Sequence, residues 1–198
     1  KDLIYELITQ VTEDESNEAS KAFLLGKGLA KIANDDQVDI EHILFKLINS
    51  SINFQQLAAI EVLKNQSYPR FNDRLWVLYQ EILKNESCEN FFISSKLYRS
   101  LKTAAKKSPS WLKKEILYSE DLHLDRLALI LSEIDQCEIW HICKTHLINN
   151  TPIDKSLGIV YCIKIYHDLA LRDYLIECLS VEKNGIRSSA FEALIYLD

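Results

Sequence analysis

Apolar residues along this chain return every three to four positions in almost every window, the period of a helix with one buried face, where a strand would alternate strictly. The pattern predicts twelve helices, at about 2–11, 14–33, 37–49, 53–65, 70–85, 89–107, 110–118, 121–134, 137–149, 153–167, 169–182 and 186–197. Their punctuation has physical reasons. Thr12 and Glu15 are spaced as a capping box, in which each side chain bonds the other residue's open backbone N–H. Ser108-Pro109 and Thr151-Pro152 each place a hydroxyl before a proline at the first helical position, where the missing N–H costs nothing. Asn184-Gly185 supplies a turn able to take positive φ before the last helix. Short loops between helices of this length force neighbours to pack antiparallel, which makes about six helix pairs.

Composition narrows the class. Four glycines and three prolines in 198 residues leave little material for the tight turns of an all-β fold. At 47% hydrophobic and 26% charged residues the chain has the balance of a globular protein, which argues against disorder. No uninterrupted apolar run of 18 residues or more is present and no signal peptide stands at the start, so membrane insertion is not expected. Cys88, Cys137, Cys143, Cys162 and Cys178 are odd in number, dispersed and set among apolar positions. They read as reduced, buried thiols of a cytoplasmic protein, outside any disulfide framework. A first residue Lys and the lack of any Met read as a trimmed chain or a segment of something longer.

A small residue recurs in alternate helices, at Ala22, Ala58, Ser94, Ala128, Gly158 and Ala190, separated by 36, 36, 34, 30 and 32 residues. Four positions later stand Gly26, Val62, Tyr98, Ser132, Cys162 and Leu194. Small side chains there would let alternate helices cross closely. The helices at 137–149 and 169–182 also align at an offset of 32, matching Ile139 with Leu171, Cys143 with Leu175, His146 with Cys178 and Leu147 with Leu179. Leu175-Ile176-Glu177-Cys178-Leu179, a polar turn, and Ile186-Arg187-Ser188-Ser189-Ala190-Phe191-Glu192-Ala193-Leu194 resemble the consensus of bacterial HEAT repeats. In that consensus a leucine-rich helix and a short acidic turn lead to Val/Ile-Arg, then Ala and Ala-Leu at helical spacing. The resemblance is carried by 171–197, and the earlier repeats lack the Val-Arg signature. The Trp, Gly-Tyr and Pro pattern of TPR repeats is absent. The resemblance implies an all-α, α-α superhelix, a HEAT-like solenoid occupying 1–198 as one repeat domain.

Charge is unevenly spread. Lys96, Arg99, Lys102, Lys106, Lys107, Lys113 and Lys114 stand within 96–114 without one acidic residue. These seven positive charges sit in a chain of net −6, so the remainder carries −13. The first five basic residues share one helical face, while Leu97, Tyr98, Leu101, Ala104 and Ala105 share the other. With Trp111 inside and Tyr118 just beyond it, the segment is a candidate docking strip for an acidic peptide or for phosphates. The plain alternative is a solvated face that balances acidic neighbours. Acidity elsewhere weighs against nucleic acid, since a groove that tracks DNA is positive over several repeats.

Other chemistry reads as structural. Cys137 and His141, at i and i+4, are placed to supply two zinc ligands, but Cys143 and His146 face elsewhere, and no metal or cofactor site is assigned. Trp76, Trp111 and Trp140 occupy apolar helical positions and read as core. Asp35-Asp36 and Glu120-Asp121 precede helices, where carboxylates favour the positive end of the helix dipole. No phosphate-cradling loop, nucleophile elbow or zinc-protease motif occurs, so no catalytic residue is assigned. The resemblance implies a non-catalytic scaffold that grips a protein or peptide on a concave face. Its alternatives are a nucleic-acid-binding module or alkylpurine DNA glycosylase, and a lyase that attaches bilins to phycobiliproteins.

Overall fold

A computed structural model describes residues 17–33, 39–50, 53–66, 68–84, 88–118 and 123–197, with side chains left aside at 19, 53 and 88–92. Among the described residues eleven α-helices and three short 3-10 turns carry the fold, and no strand occurs. The helix predicted over 2–11, the Thr12–Glu15 box and the pairs Asp35-Asp36 and Glu120-Asp121 lie outside the described residues. The chain divides into two compact units, Lys1–Ala104 and Ala105–Asp198.

The first unit contains α1 (Glu18–Ile32), α2 (Ile40–Ile48), α3 (Asn53–Leu63), α4 (Asn72–Lys84) and most of α5 (Cys88–Lys107). The side chains of Asn17 and Asp39 cap α1 and α2, accepting the N–H of Ser20 and His42 at 3.0 Å. Helix α1 packs on α3, and α2 also packs on α3. Leu25, Leu29, Leu44, Ala58, Ile60 and Leu63 fill the core between them. The α1–α3 crossing is close because Gly26 has no side chain: a Cβ there would stand 3.1 Å from Glu61 Cβ and 3.3 Å from the Ala58 carbonyl oxygen.

The second unit holds α6 (Pro109–Tyr118), α7 (Leu124–Ser132), α8 (Cys137–Asn150), α9 (Leu157–Ile165), α10 (Arg172–Cys178) and α11 (Asn184–Leu197). Contacts join sequence neighbours (α6–α7, α7–α8, α8–α9 and α10–α11) and also alternate helices (α6–α8, α7–α9 and α9–α11). Helix α9 lies at the centre of this pattern. Its Ile159-Val160-Tyr161-Cys162-Ile163 run has the β-branched composition of a strand. Packing on α7, α8 and α11 decides otherwise, burying Gly158, Ile159, Val160, Cys162 and Ile163. A Cβ on Gly158 would lie 2.5 Å from the Leu129 nitrogen and 2.8 Å from the Ala128 carbonyl carbon and the Asp125 oxygen. The Cys162 thiol donates to the Ala128 carbonyl at 3.3 Å across the same crossing.

Two expectations about local structure are corrected. Pro109 does open α6, but Thr151-Pro152 does not open a helix. The Thr151 N–H closes α8 onto the Leu147 carbonyl and Pro152 leads into the turn Ile153–Lys155, leaving the Thr151 hydroxyl buried without a hydrogen-bond partner. Asn184 and Gly185 are the first residues of α11 with no positive φ at Gly185, so the turn ends earlier, at Lys183, whose carbonyl accepts from Ile186 and Arg187. The residue at positive φ is instead His167, at 53°. It ends α9, where Asp168 N–H reaches back to the Ile163 carbonyl at 3.1 Å, the bond of a Schellman cap.

Candidate partner-binding surface

The basic segment occupies α5 and α6, and the division between its apolar and charged faces follows the periodicity. Leu97, Leu101, Ala104 and Ala105 are buried, Tyr98 is half-buried, and Arg99, Lys106 and Lys107 are exposed. The seven cations have different surroundings. In the first unit Lys96 Nζ lies 2.5 Å from Glu61 Oε2, and Lys64 holds the other oxygen of the same carboxylate. Burial pushes the Glu61 carboxyl up, but the hydrogen bonds from Lys64 and Lys96 outweigh it and leave the group below its ordinary range. Lys96 therefore serves a pair inside the fold, and Lys102 is half-buried.

In the second unit Lys106 and Lys107 form the last turn of α5, where cations oppose the negative end of the helix dipole. Lys113 is half-buried and its charge reaches Cys143, whose thiol burial pushes up to about 11. Lys114 is exposed, 3.9 Å from Glu115. Trp111 is buried, so it packs α6 rather than offering a ring to a partner. Trp76 and Trp140 are buried as well, consistent with the core reading of all three.

Periodicity gave less notice of an apolar surface on α11. That helix buries Ile186, Ser189, Ala190 and Ala193 on one side, while Phe191 and Ile195 stand exposed on the other. The i, i+4 spacing of Phe191 and Ile195 aligns them, and a sequence signal existed: apolar residues surround α11, as they would in a helix meant to be covered. A surface pocket of about 610 Å³ borders the stripe, lined by Leu179, Asn184, Gly185, Arg187, Ser188 and Phe191. On the flank toward α9, Tyr196 meets the His167 ring at 5.1 Å between centroids, and Lys164 bonds Glu192 at 3.3 Å.

A carboxylate beside a tryptophan, not foreseen from the sequence, is also present. Asp168 accepts from Trp140 Nε1 at 3.0 Å and from Lys144 Nζ at 2.6 Å, and Trp140 stacks on Tyr166 at 6.2 Å. Burial acts to raise the Asp168 pKa, yet the bonds from Lys144 and Trp140 outweigh it and hold the group below its ordinary value. Trp140 is fully buried, so the cluster braces the chain after α9 and offers no ring to a base. Tyr166 extends the brace, donating its hydroxyl to the Leu131 and Ile134 carbonyls, both at 2.7 Å.

The cysteines divide. Cys143, Cys162 and Cys178 are buried as expected, whereas Cys137 is exposed in the first turn of α8, its Sγ 3.3 Å from His141 Nε2. Cys143 and His146 do not join them: His146 Nδ1 lies 3.4 Å from the Asn150 side-chain amide. Among the described residues no group of three or more His, Cys, Asp or Glu converges as metal ligands, and no helix is long and apolar enough to cross a membrane. No protein-family model matches the chain, and neither a curated protein nor a solved structure was found similar to it.

Proposed function

We propose that the chain is a non-catalytic, HEAT-like helical scaffold that holds a protein partner. The observation that carries this reading is the exposed Phe191–Ile195 stripe of α11 with the pocket beside it. Large apolar side chains aligned on a helix face, next to a concavity, are the usual means of seating a helix or extended peptide. Support also comes from the second unit, where contacts between both sequence neighbours and alternate helices follow the plan of stacked pairs. Arg187 lines the pocket, so the partner segment carries an acidic group beside its apolar side.

The test compares three chains in affinity capture from lysate with and without nuclease, followed by titration of the captured partner. One is unaltered, one carries Phe191→Asp with Ile195→Asp, and one carries Lys106, Lys107, Lys113 and Lys114 all changed to Glu. The expected outcome is a nuclease-resistant protein whose affinity falls about tenfold or more with the apolar pair and less with the lysine set. Recovery of nucleic acid that disappears with the lysine variant would overturn the reading in favour of a nucleic-acid-binding module. Equal binding by all three chains would remove this surface from the function.

A further inference from the structure

A Cys–His pair on α8 stands outside everything described for partner binding. Cys137 is the first residue of the helix and His141 follows one turn later, so both side chains leave the same face. Their donor atoms, Sγ and Nε2, are 3.3 Å apart and both residues are exposed. A tetrahedral zinc ion bound at about 2.3 Å to sulfur and about 2.0 Å to nitrogen needs those donors about 3.5 Å apart. The pair already has that bite to within a few tenths of an ångström.

The surroundings favour a cation. Asp135 and Glu138, on either side of Cys137 in sequence, are exposed carboxylates. The nearest cation along the helix, Lys144, is held by Asp168 at 2.6 Å.

We propose that Cys137 and His141 form a two-donor site for a thiophilic divalent cation of the zinc class. Metal–sulfur and metal–nitrogen bonds form as bonds to the ion's own waters break, and the proton held between Sγ and Nε2 leaves to solvent with them. No third ligand converges among the described residues, and the proposal gives the remaining positions to water or a second molecule. Such an open site differs from a closed structural one, in which four protein ligands fix the ion.

Cobalt is the probe. The reduced 198-residue chain titrated with Co²⁺ is expected to develop a thiolate-to-cobalt charge-transfer band that zinc then displaces. The band should vanish in Cys137→Ser and in His141→Ala and persist in Cys143→Ser, with unchanged helical circular dichroism throughout. Both altered positions are exposed, so loss of the band will not reflect loss of the fold. Sedimentation with and without Co²⁺ distinguishes the outside donors: an unchanged mass assigns them to water, a doubled mass to a second chain. No band in the unaltered chain, or a band that survives either Cys137→Ser or His141→Ala, would overturn the proposal.

Discussion

In the first unit α1 crosses α3 over Gly26, where the nearest obstacles to a Cβ are a glutamate side chain at 3.1 Å and a carbonyl at 3.3 Å. In the second, α7 meets α9 over Gly158, where a Cβ would strike three backbone atoms at 2.5 to 2.8 Å. The polar chemistry beside these crossings differs in the same sense. Glu61 is flanked by two lysines and keeps some access to water, with 15% of its side chain exposed. Asp168 keeps 6%, and is satisfied by one lysine and an indole. Ser100 and Thr103 bind the Ile60 and Lys64 carbonyls in the first unit, a role taken by Cys162 and Tyr166 toward α7 in the second. Both units thus join alternate helices through a missing side chain and a borrowed carbonyl, but the second does so with less room to yield. A flexible side chain can give way, whereas a backbone can move only with its whole helix.

The sharpest way to break that comparison is to add one carbon on each side. Gly158→Ala should destabilise by about 3 kcal/mol, because α7 and α9 must separate. Gly26→Ala should cost about 1 kcal/mol or less, since Glu61 can shift and alanine favours a helix. Urea unfolding midpoints measure both, and equal losses would show that the two crossings are equally tight.

Next in size is Asp168→Asn, expected to cost about 2 kcal/mol at neutral pH by weakening the bonds from Lys144 and Trp140. The sign of its pH dependence follows from the lowered folded-state pKa. The unfolded chain takes up the proton first as pH falls, so the stabilisation is complete above the unfolded pKa. It is lost as pH drops from there through the folded value. Glu61 is shifted the same way. Acid titration of stability should therefore flatten in Asp168→Asn and also in Glu61→Gln. A variant whose acid limb matches that of the unaltered chain would remove its carboxylate from the linkage.

The smallest effect has the opposite sign. Gly185 has open space around its Cβ position and helical backbone, so Gly185→Ala should raise stability by about 0.5 to 1 kcal/mol in thermal unfolding. A loss would mean that the start of α11 needs the freedom its sequence suggested.

Helix class and the buried faces were legible because repeated burial writes a 3.6-residue period into the chain. Leu97, Leu101 and Ala104, or Leu124, Leu127 and Leu131, are places where one spacing names the face that packs. The borders at Ile153 and Leu169 were less legible, since a 3-10 turn continues the apolar rhythm of the helix after it. The exposure of Cys137 was within reach of a helical wheel, as Ile139, Trp140, Cys143 and Leu147 mark a core side that excludes it. The pairings Trp140–Asp168 and Lys96–Glu61 join residues 28 and 35 positions apart, and only the packing of helices brings them together. The candidate strip from Lys96 to Lys114 was legible as charge and Trp111 as core, whereas the engagement of Lys96 depends on a neighbour that no local pattern names.

The hydroxyl of Tyr166 places a condition on how the second unit comes into being. The carbonyls it satisfies belong to Leu131 and Ile134, at the end of a helix made more than thirty residues earlier. During synthesis α7 leaves the ribosome closed only by its own backbone, with the Ile134 and Gln136 N–H groups on the Leu131 and Ile134 carbonyls, and gains the hydroxyl once Tyr166 has emerged. A nascent chain stalled just short of that residue holds every residue of α7 and α8 yet lacks the hydroxyl that ties the end of the first to the chain after α9.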